Sequence, residues 1–404
     1  MGGHRMLTRR AALVNAAATG VAVAGLAGRP LTGLGTQATP VVGVATPVAA
    51  GRSGVPLWRT AADRGLVYGT STATWQLEDA EYARLVDHEA AILFTEDDLL
   101  WYRLKPEPDA ELDFTYGDQF FAFAEERGQL VFATHLVWDE GFGEGWTEDD
   151  LFGMEDARSL MLDTVERVVS HYRGRVAAWV VVNEAIDAHE GDGLRRDYPW
   201  YQTVGPDYVA EAFRAARAAD PDALLVLNEF GFETDDEFDA AADKRAKALL
   251  VLDALLADGV PVDAFGVQAH LEAADFAAKF DADGYRAFLA ELADRGMTIL
   301  ITEMDVLDDG LPEDIPARDA AVAAAYRTYL NAALAEPAVA AVMTFGLSDR
   351  YTWLQEDYPR EDGAPRRPLP YDEELRPKPA YDALAGALAD AAARDLLWEA
   401  PRAR

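Results

Sequence analysis

Eight short apolar runs recur along the chain after Asp63, at residues 66–70, 91–95, 130–137, 177–182, 224–227, 264–267, 298–302 and 339–345. Each is short for a helix and of the right length for a buried strand. The intervening segments carry spaced apolar positions on Ala, Glu, Asp and Arg backgrounds, as in Ala210-Glu211-Ala212-Phe213-Arg214-Ala215-Ala216-Arg217, which predicts helices packed on a parallel sheet. Eightfold alternation of this kind points to an α/β chain closed into a (β/α)8 TIM barrel. An open doubly wound sheet is the competing arrangement. No Gly-rich phosphate loop follows the first run, which weighs against a nucleotide site.

Polar and aromatic residues collect where the runs end: Glu96, Trp138, Asn183-Glu184, Asn228-Glu229, Gln268 and His270, Glu303 and Asp305, and Ser348-Asp349. In a barrel all of them reach one C-terminal face. Glu184 closes the run Val180-Val181-Val182-Asn183 and Glu303 closes Thr298-Ile299-Leu300-Ile301-Thr302. The two carboxylates are 119 residues apart, about three strand-helix units, so they fall on the fourth and seventh strands. Across a barrel mouth such a pair can act on a glycosidic bond from both sides.

Composition narrows the partner. A chain of 404 residues that is 50% hydrophobic buries a large core, and its formal net charge of -35 argues against nucleic acid or an anionic membrane. An uncharged substrate fits better. Only five Lys stand against 31 Arg and 71 Asp plus Glu, so the solvated faces are acidic, as suits a halophilic source where salt screens self-repulsion. There is no Cys, and the six His lack metal-ligand spacing, so neither disulfide, metal nor other cofactor is expected.

The ends read differently from the middle. Thr8-Arg9-Arg10 precedes an Ala/Val/Gly stretch at 11–27 that is poor in Leu and Ile, resembling a twin-arginine export signal rather than a membrane anchor. The expected organisation is a signal segment at 1–30, a Thr/Pro/Gly/Val/Ala-rich linker at 31–56, a catalytic barrel at 57–390 and a tail at 391–404. A secreted monomer is expected, without an integral membrane span.

Trp179-Val180-Val181-Val182-Asn183-Glu184-Ala185 and Ile301-Thr302-Glu303-Met304-Asp305-Val306 resemble motifs of glycoside hydrolase family 10, the retaining endo-β-1,4-xylanases. So do Leu136-Val137-Trp138, Gly266-Val267-Gln268-Ala269-His270-Leu271, Gly346-Leu347-Ser348-Asp349 with Trp353, Lys378-Pro379-Ala380-Tyr381, and the segment from Arg196 to Phe213. The resemblance covers about residues 63–385. It implies that Glu184 is the acid/base and Glu303 the nucleophile. It also implies that Asn183 meets the sugar 2-hydroxyl, that His270 and Asp305 orient Glu303, and that Gln268 braces Glu184 or the sugar. Glu96 would bind substrate, and Trp138 and Trp353 would offer flat faces to sugar rings.

Three positions depart from the family's pattern. Leu100 stands where a sugar-binding Lys is expected, Thr134 where a His is expected with His135 one place along, and Phe345 where a Trp precedes Gly-Leu-Ser-Asp. Because successive strand residues face opposite ways, His135 cannot replace the missing His without a bulge, and the expectation is a lost glycone-side contact. These departures leave xylan as the leading substrate. A related β-glycan, or a catalytically weak carbohydrate-binding barrel, is the alternative.

Overall fold

The computed structural model describes residues 54–236 and 239–399, so the expected signal segment and nearly all of the expected linker lie outside the described residues. Among the described residues nine strands form: β1 (Val67–Thr72), β2 (Ile92–Thr95), β3 (Leu130–Ala133), β4 (Ala178–Asn183), β5 (Leu224–Glu229), β6 (Ala264–Val267), β7 (His270–Glu272), β8 (Thr298–Leu307) and β9 (Val339–Thr344). Eight of them pair in parallel as a ring, since β1 pairs with both β2 and β9 and β6 pairs with β8. This is the expected closed barrel, with β8 as its seventh strand and β9 as its eighth. The short β7 pairs with the outer end of β8, His270 opposite Asp305.

The strand runs are apolar throughout because both faces are covered. Ile92, Phe94, Phe132, Val180, Val226, Leu300 and Met343 fill the barrel, while Leu93, Val131, Trp179, Leu225, Ile299 and Val342 pack outward on the helices. Eight long helices form that outer layer: Ala80–Glu89, Thr115–Glu126, Ala157–His171, Tyr208–Ala219, Ala241–Ala257, Ala282–Asp294, Ile315–Ala333 and Pro379–Asp390. In the first, Asp79 caps the free N–H groups of Glu81 and Tyr82, and Tyr82, Val86 and Glu89 turn inward at helical spacing.

Bulges break the alternation on four strands, of which β9 is shifted at its start, where Ile299 and Leu300 pair with Val339 and Ala341, and three are shifted nearer the mouth. On β4, Val180 pairs with Val226 and Val182 with Leu227, two steps against one. On β8, Ile301 pairs with Val342 and Met304 with Thr344, three steps against two. On the third strand, Ala133 pairs with Trp179 and the next bridge joins Val137 to Val182, four steps against three. The expected strand at 130–137 is therefore interrupted at Thr134 and His135. Each extra residue exchanges the faces that later side chains occupy.

The loops carrying the mouth are held by buried ion pairs. Lys378 Nζ donates to both carboxylate oxygens of Asp349, at 3.0 and 2.7 Å, so two of the family-like motifs meet there. Asp308, fully buried, gathers Arg318, Arg360 and Arg366 and ties the end of β8 to the loop that follows Trp353.

Residues 391–399 of the expected tail are seated on the opposite, N-terminal face. The Arg394 guanidinium donates to the carbonyls of Leu334, Glu336 and Val339, and Leu397 and Trp398 pack against the barrel's inner cluster beside Trp58. A chain ending at Ala391 is expected to lose roughly 3–5 kcal/mol, the scale of three charge-assisted hydrogen bonds and two partly buried apolar side chains. Equilibrium urea unfolding of the two chains checks this. Equal midpoints would show the seat to be energetically idle.

Candidate active site

Asn183 and Glu184 are consecutive, and in a regular strand they would point to opposite faces. The β4 bulge sets the face of Asn183, and the left-handed backbone at Glu184, φ 58°, breaks the alternation so that both reach the mouth. Such a conformation costs a non-glycine residue about 1–3 kcal/mol and persists only where neighbours impose it. Here Glu184 N–H donates to the Asn228 carbonyl at 3.0 Å, and Arg195 Nη1 donates to the Glu184 carbonyl at 3.0 Å.

A line of amides joins the two carboxylates. Gln268 Nε2 donates to Glu184 Oε1 at 3.1 Å and to Asn183 Oδ1 at 3.3 Å. Asn228 Nδ2 donates to Asn183 Oδ1 at 2.8 Å and to Glu303 Oε1 at 2.7 Å, while Thr302 Oγ1 donates back to Asn228 Oδ1 at 2.8 Å. Asn183, Glu184, Asn228, Gln268, Thr302 and Glu303 are all buried, so these donors hold both carboxylates at fixed positions.

Glu303 faces a cation. His270 Nε2 lies 3.3 Å from Glu303 Oε2, and His270 Nδ1 lies 2.8 Å from Asp305 Oδ1. Burial opposes the imidazole's charge, but the Asp305 and Glu303 carboxylates outweigh it and push the group up to about 10. It is therefore doubly protonated near neutrality and donates from both nitrogens. Trp353 Nε1 donates to Asp305 Oδ2 at 2.7 Å, completing the support of Glu303.

Glu184 lies among carboxylates instead. One oxygen each of Asp139, Glu140 and Glu184 lies within 4.8 Å of the others. Arg195 Nη2 already occupies Asp139 Oδ2 at 2.6 Å. Trp138 Nε1 donates to Glu184 Oε2 at 3.1 Å, so the indole anchors this carboxyl as well as presenting a ring.

Glu96 sits across the mouth, its oxygens accepting from Ser71 and Gln76 at 2.9 Å each. Burial and the neighbouring Asp97 push its carboxyl up to about 8, so it is protonated at neutral pH. Leu100, in the position expected for a Lys, brings no compensating charge and flanks Gly141 together with Trp138.

The third-strand bulge meets the condition under which His135 can stand in for the missing His. Thr134 turns to Thr95, accepting nothing from the mouth, and its Oγ1 donates to the Thr95 carbonyl at 2.5 Å. His135 takes the mouth-facing place, its ring 4.9 Å from Trp138 and 6.0 Å from Phe94. Phe94 lies 5.8 Å from Phe345, and Phe345 lies 5.7 Å from His270 and 6.1 Å from Trp353. A belt of rings thus spans the mouth, and Phe345 keeps the aromatic surface while lacking an indole donor.

Thr302, Arg195 and Asp139 are the participants that strand-end reading did not single out, and Asn228 was given no role by it. Asn228 stood in the Asn228-Glu229 pair at the end of the fifth run, a visible signal. Its neighbour Glu229 is fully buried against Lys244, at 3.2 Å, and accepts from the Ile186 N–H at 2.8 Å, bracing the turn after Glu184. Arg195 lies in a long loop and carried no signal.

The model of glycosyl hydrolase family 10 matches residues 57–387. Endo-1,4-beta-xylanase B of Thermotoga neapolitana is 32% identical over 313 residues, covering 77% of this chain and 84% of that protein. Endo-1,4-beta-xylanase A of Phanerodontia chrysosporium is 30% identical over 322 residues, covering 79% and 74%. Among solved structures, native xylanase 10B from Thermotoga maritima superposes with a TM-score of 0.71 at 31% identity, over 83% of this chain and 98% of that one. Xylanase 10B from Thermotoga petrophila RKU-1, in complex with xylobiose, gives 0.71 at 30% identity, over 83% and 97%.

Proposed function

The chain belongs to glycosyl hydrolase family 10, and from that membership we propose a retaining endo-β-1,4-xylanase in which Glu303 is the nucleophile and Glu184 the acid/base. One observation carries the assignment of roles. The two carboxylates are tied into a single amide network, yet Glu303 faces the His270 cation and Glu184 faces other carboxylates. An adjacent cation favours an ionised nucleophile, and neighbouring negative charge favours a protonated acid.

In the first half-reaction the Glu303 carboxylate attacks the anomeric carbon, the bond to the leaving sugar breaks, and Glu184 gives its proton to the departing oxygen. Glu303 is then a neutral ester. In the second, the Glu184 carboxylate takes a proton from water, whose oxygen attacks the same carbon and releases Glu303 as a carboxylate. Two inversions give retention. With the Asn183 oxygen engaged by Gln268 and Asn228, its amino group is the part left to meet the sugar 2-hydroxyl. Trp138, Trp353, His135 and Phe345 supply apolar area for the rings, and neutral Glu96 supplies a donor.

An exported, salt-adapted enzyme is part of this reading, supported by Thr8-Arg9-Arg10 with its apolar stretch and by the net charge of -35. Among the described residues no helix is long and apolar enough to cross a membrane. Reducing-sugar release from xylan, β-glucan and β-mannan in concentrated salt tests the substrate. Xylan is expected to be cleaved at least tenfold faster than the others, and faster cleavage of either of the others would reassign it.

A further inference from the structure

The geometry points to Asp139 as a positioning residue that sets the working pH of Glu184. It does so by anchoring Arg195 against the strained Glu184 backbone and by presenting its own carboxylate to the Glu184 side chain. The inference rests on Glu184 being the acid/base.

Asp139 follows Trp138 on the loop after the third strand and is only 12% exposed. Its Oδ2 accepts from Arg195 Nη2 at 2.6 Å, and the same guanidinium donates through Nη1 to the Glu184 carbonyl at 3.0 Å. One side chain thereby fixes the cation that holds a left-handed residue in place. The other oxygen, Oδ1, is buried and has no hydrogen-bond partner among the described residues. An unpartnered buried carboxylate oxygen close to a second carboxylate is an electrostatic cost. Its effect on the neighbour is definite: negative charge there opposes ionisation of Glu184 and keeps the acid protonated to higher pH.

The other charges around Glu184 are already balanced or more distant in the network. Arg195 also meets Asp197 at 3.4 Å and stacks over Tyr198. Glu229 on β5 is paired with Lys244, and Glu303 on β8 is paired with His270. Glu140, on the same loop as Asp139, is exposed to solvent that screens it. Asp139 is itself pushed up to about 6 by burial, with Arg195 opposing and Glu184 adding to the rise. Its charge is therefore present above about pH 6, and its titration is tied to that of Glu184 beside it.

The test uses the full chain at fixed salt concentration. In Asp139→Asn, which keeps the shape and can still accept from Arg195, the alkaline limb of kcat/KM for xylo-oligosaccharides is expected to fall by about half to one pH unit. With an aryl xylobioside whose phenolate leaves without protonation, the limb should not move. Asp139→Glu should return most of the shift. An unmoved limb in Asp139→Asn, or an equal loss on both substrates, would overturn the inference and leave Asp139 a structural anchor. The reading beneath it is judged separately with Glu184→Gln: if that variant loses activity equally on both substrates, Glu184 is not the acid.

Discussion

Replacing Glu303 by alanine is expected to lower kcat on xylan by about 10⁵-fold while leaving the folded barrel intact. The covalent intermediate cannot form without this carboxylate, so the loss falls on the first bond-making step rather than on binding, and KM should change little. The surroundings tolerate the truncation. His270 keeps Asp305 at 2.8 Å, Asn228 keeps Asn183 at 2.8 Å, and the removed group is small and polar. Thermal unfolding beside the native protein checks the fold, and reducing-sugar release checks turnover. Added azide, attacking the anomeric carbon from the vacated side, should yield the α-glycosyl azide. Near-native turnover in folded protein would remove Glu303 from the mechanism.

Glu184→Ala is the second large effect, and its size depends on the leaving group. On xylan, where an alkoxide must depart, loss of the proton donor is expected to cost about 10²–10⁴-fold in kcat/KM. On an aryl xylobioside with a strongly acidic phenol, kcat/KM should stay within about tenfold of native, because departure needs no proton. Deglycosylation still lacks its base, so the glycosyl-enzyme accumulates and kcat falls; azide, which needs no base, should restore kcat and give the β-azide. A loss of the same size on both substrates would indicate that the variant has lost the Glu184 backbone geometry instead. The left-handed φ at this position makes that control necessary, since alanine adopts it less readily than the Arg195 clamp assumes.

The barrel was legible because strands buried on both faces must be apolar throughout. Runs such as 177–182 and 298–302 carry that signature without reference to anything distant. Two parts of the site follow from the same local logic. Glu303 and Asp305, two residues apart on β8, share a face as the strand period requires, and both reach His270. Glu184 at the end of the fourth run was visible as a carboxylate at the barrel's C-terminal rim.

The rest depended on residues that the chain brings together from afar. His135 was expected to face away from the mouth, and a strict strand period gives that answer. The extra residue between Ala133 and Val137 reverses it, because the partner strand supplies three steps where this one supplies four. A bulge is a mismatch between two strands, so neither strand encodes it alone. Arg195 was invisible for a similar reason, since its value lies in reaching Asp139 and the Glu184 carbonyl, 56 and 11 residues away.

By itself, then, the sequence determined the alternation of buried strands and amphipathic helices, the eightfold count, and the two rim carboxylates, all of which rest on local periodicity and burial. Tertiary structure alone decided which faces the residues after each bulge present, how consecutive Asn183 and Glu184 both enter the mouth, and which charges surround each Glu. Those outcomes are set by register between strands and by electrostatic fields summed over distant loops, neither of which is a property of any one segment.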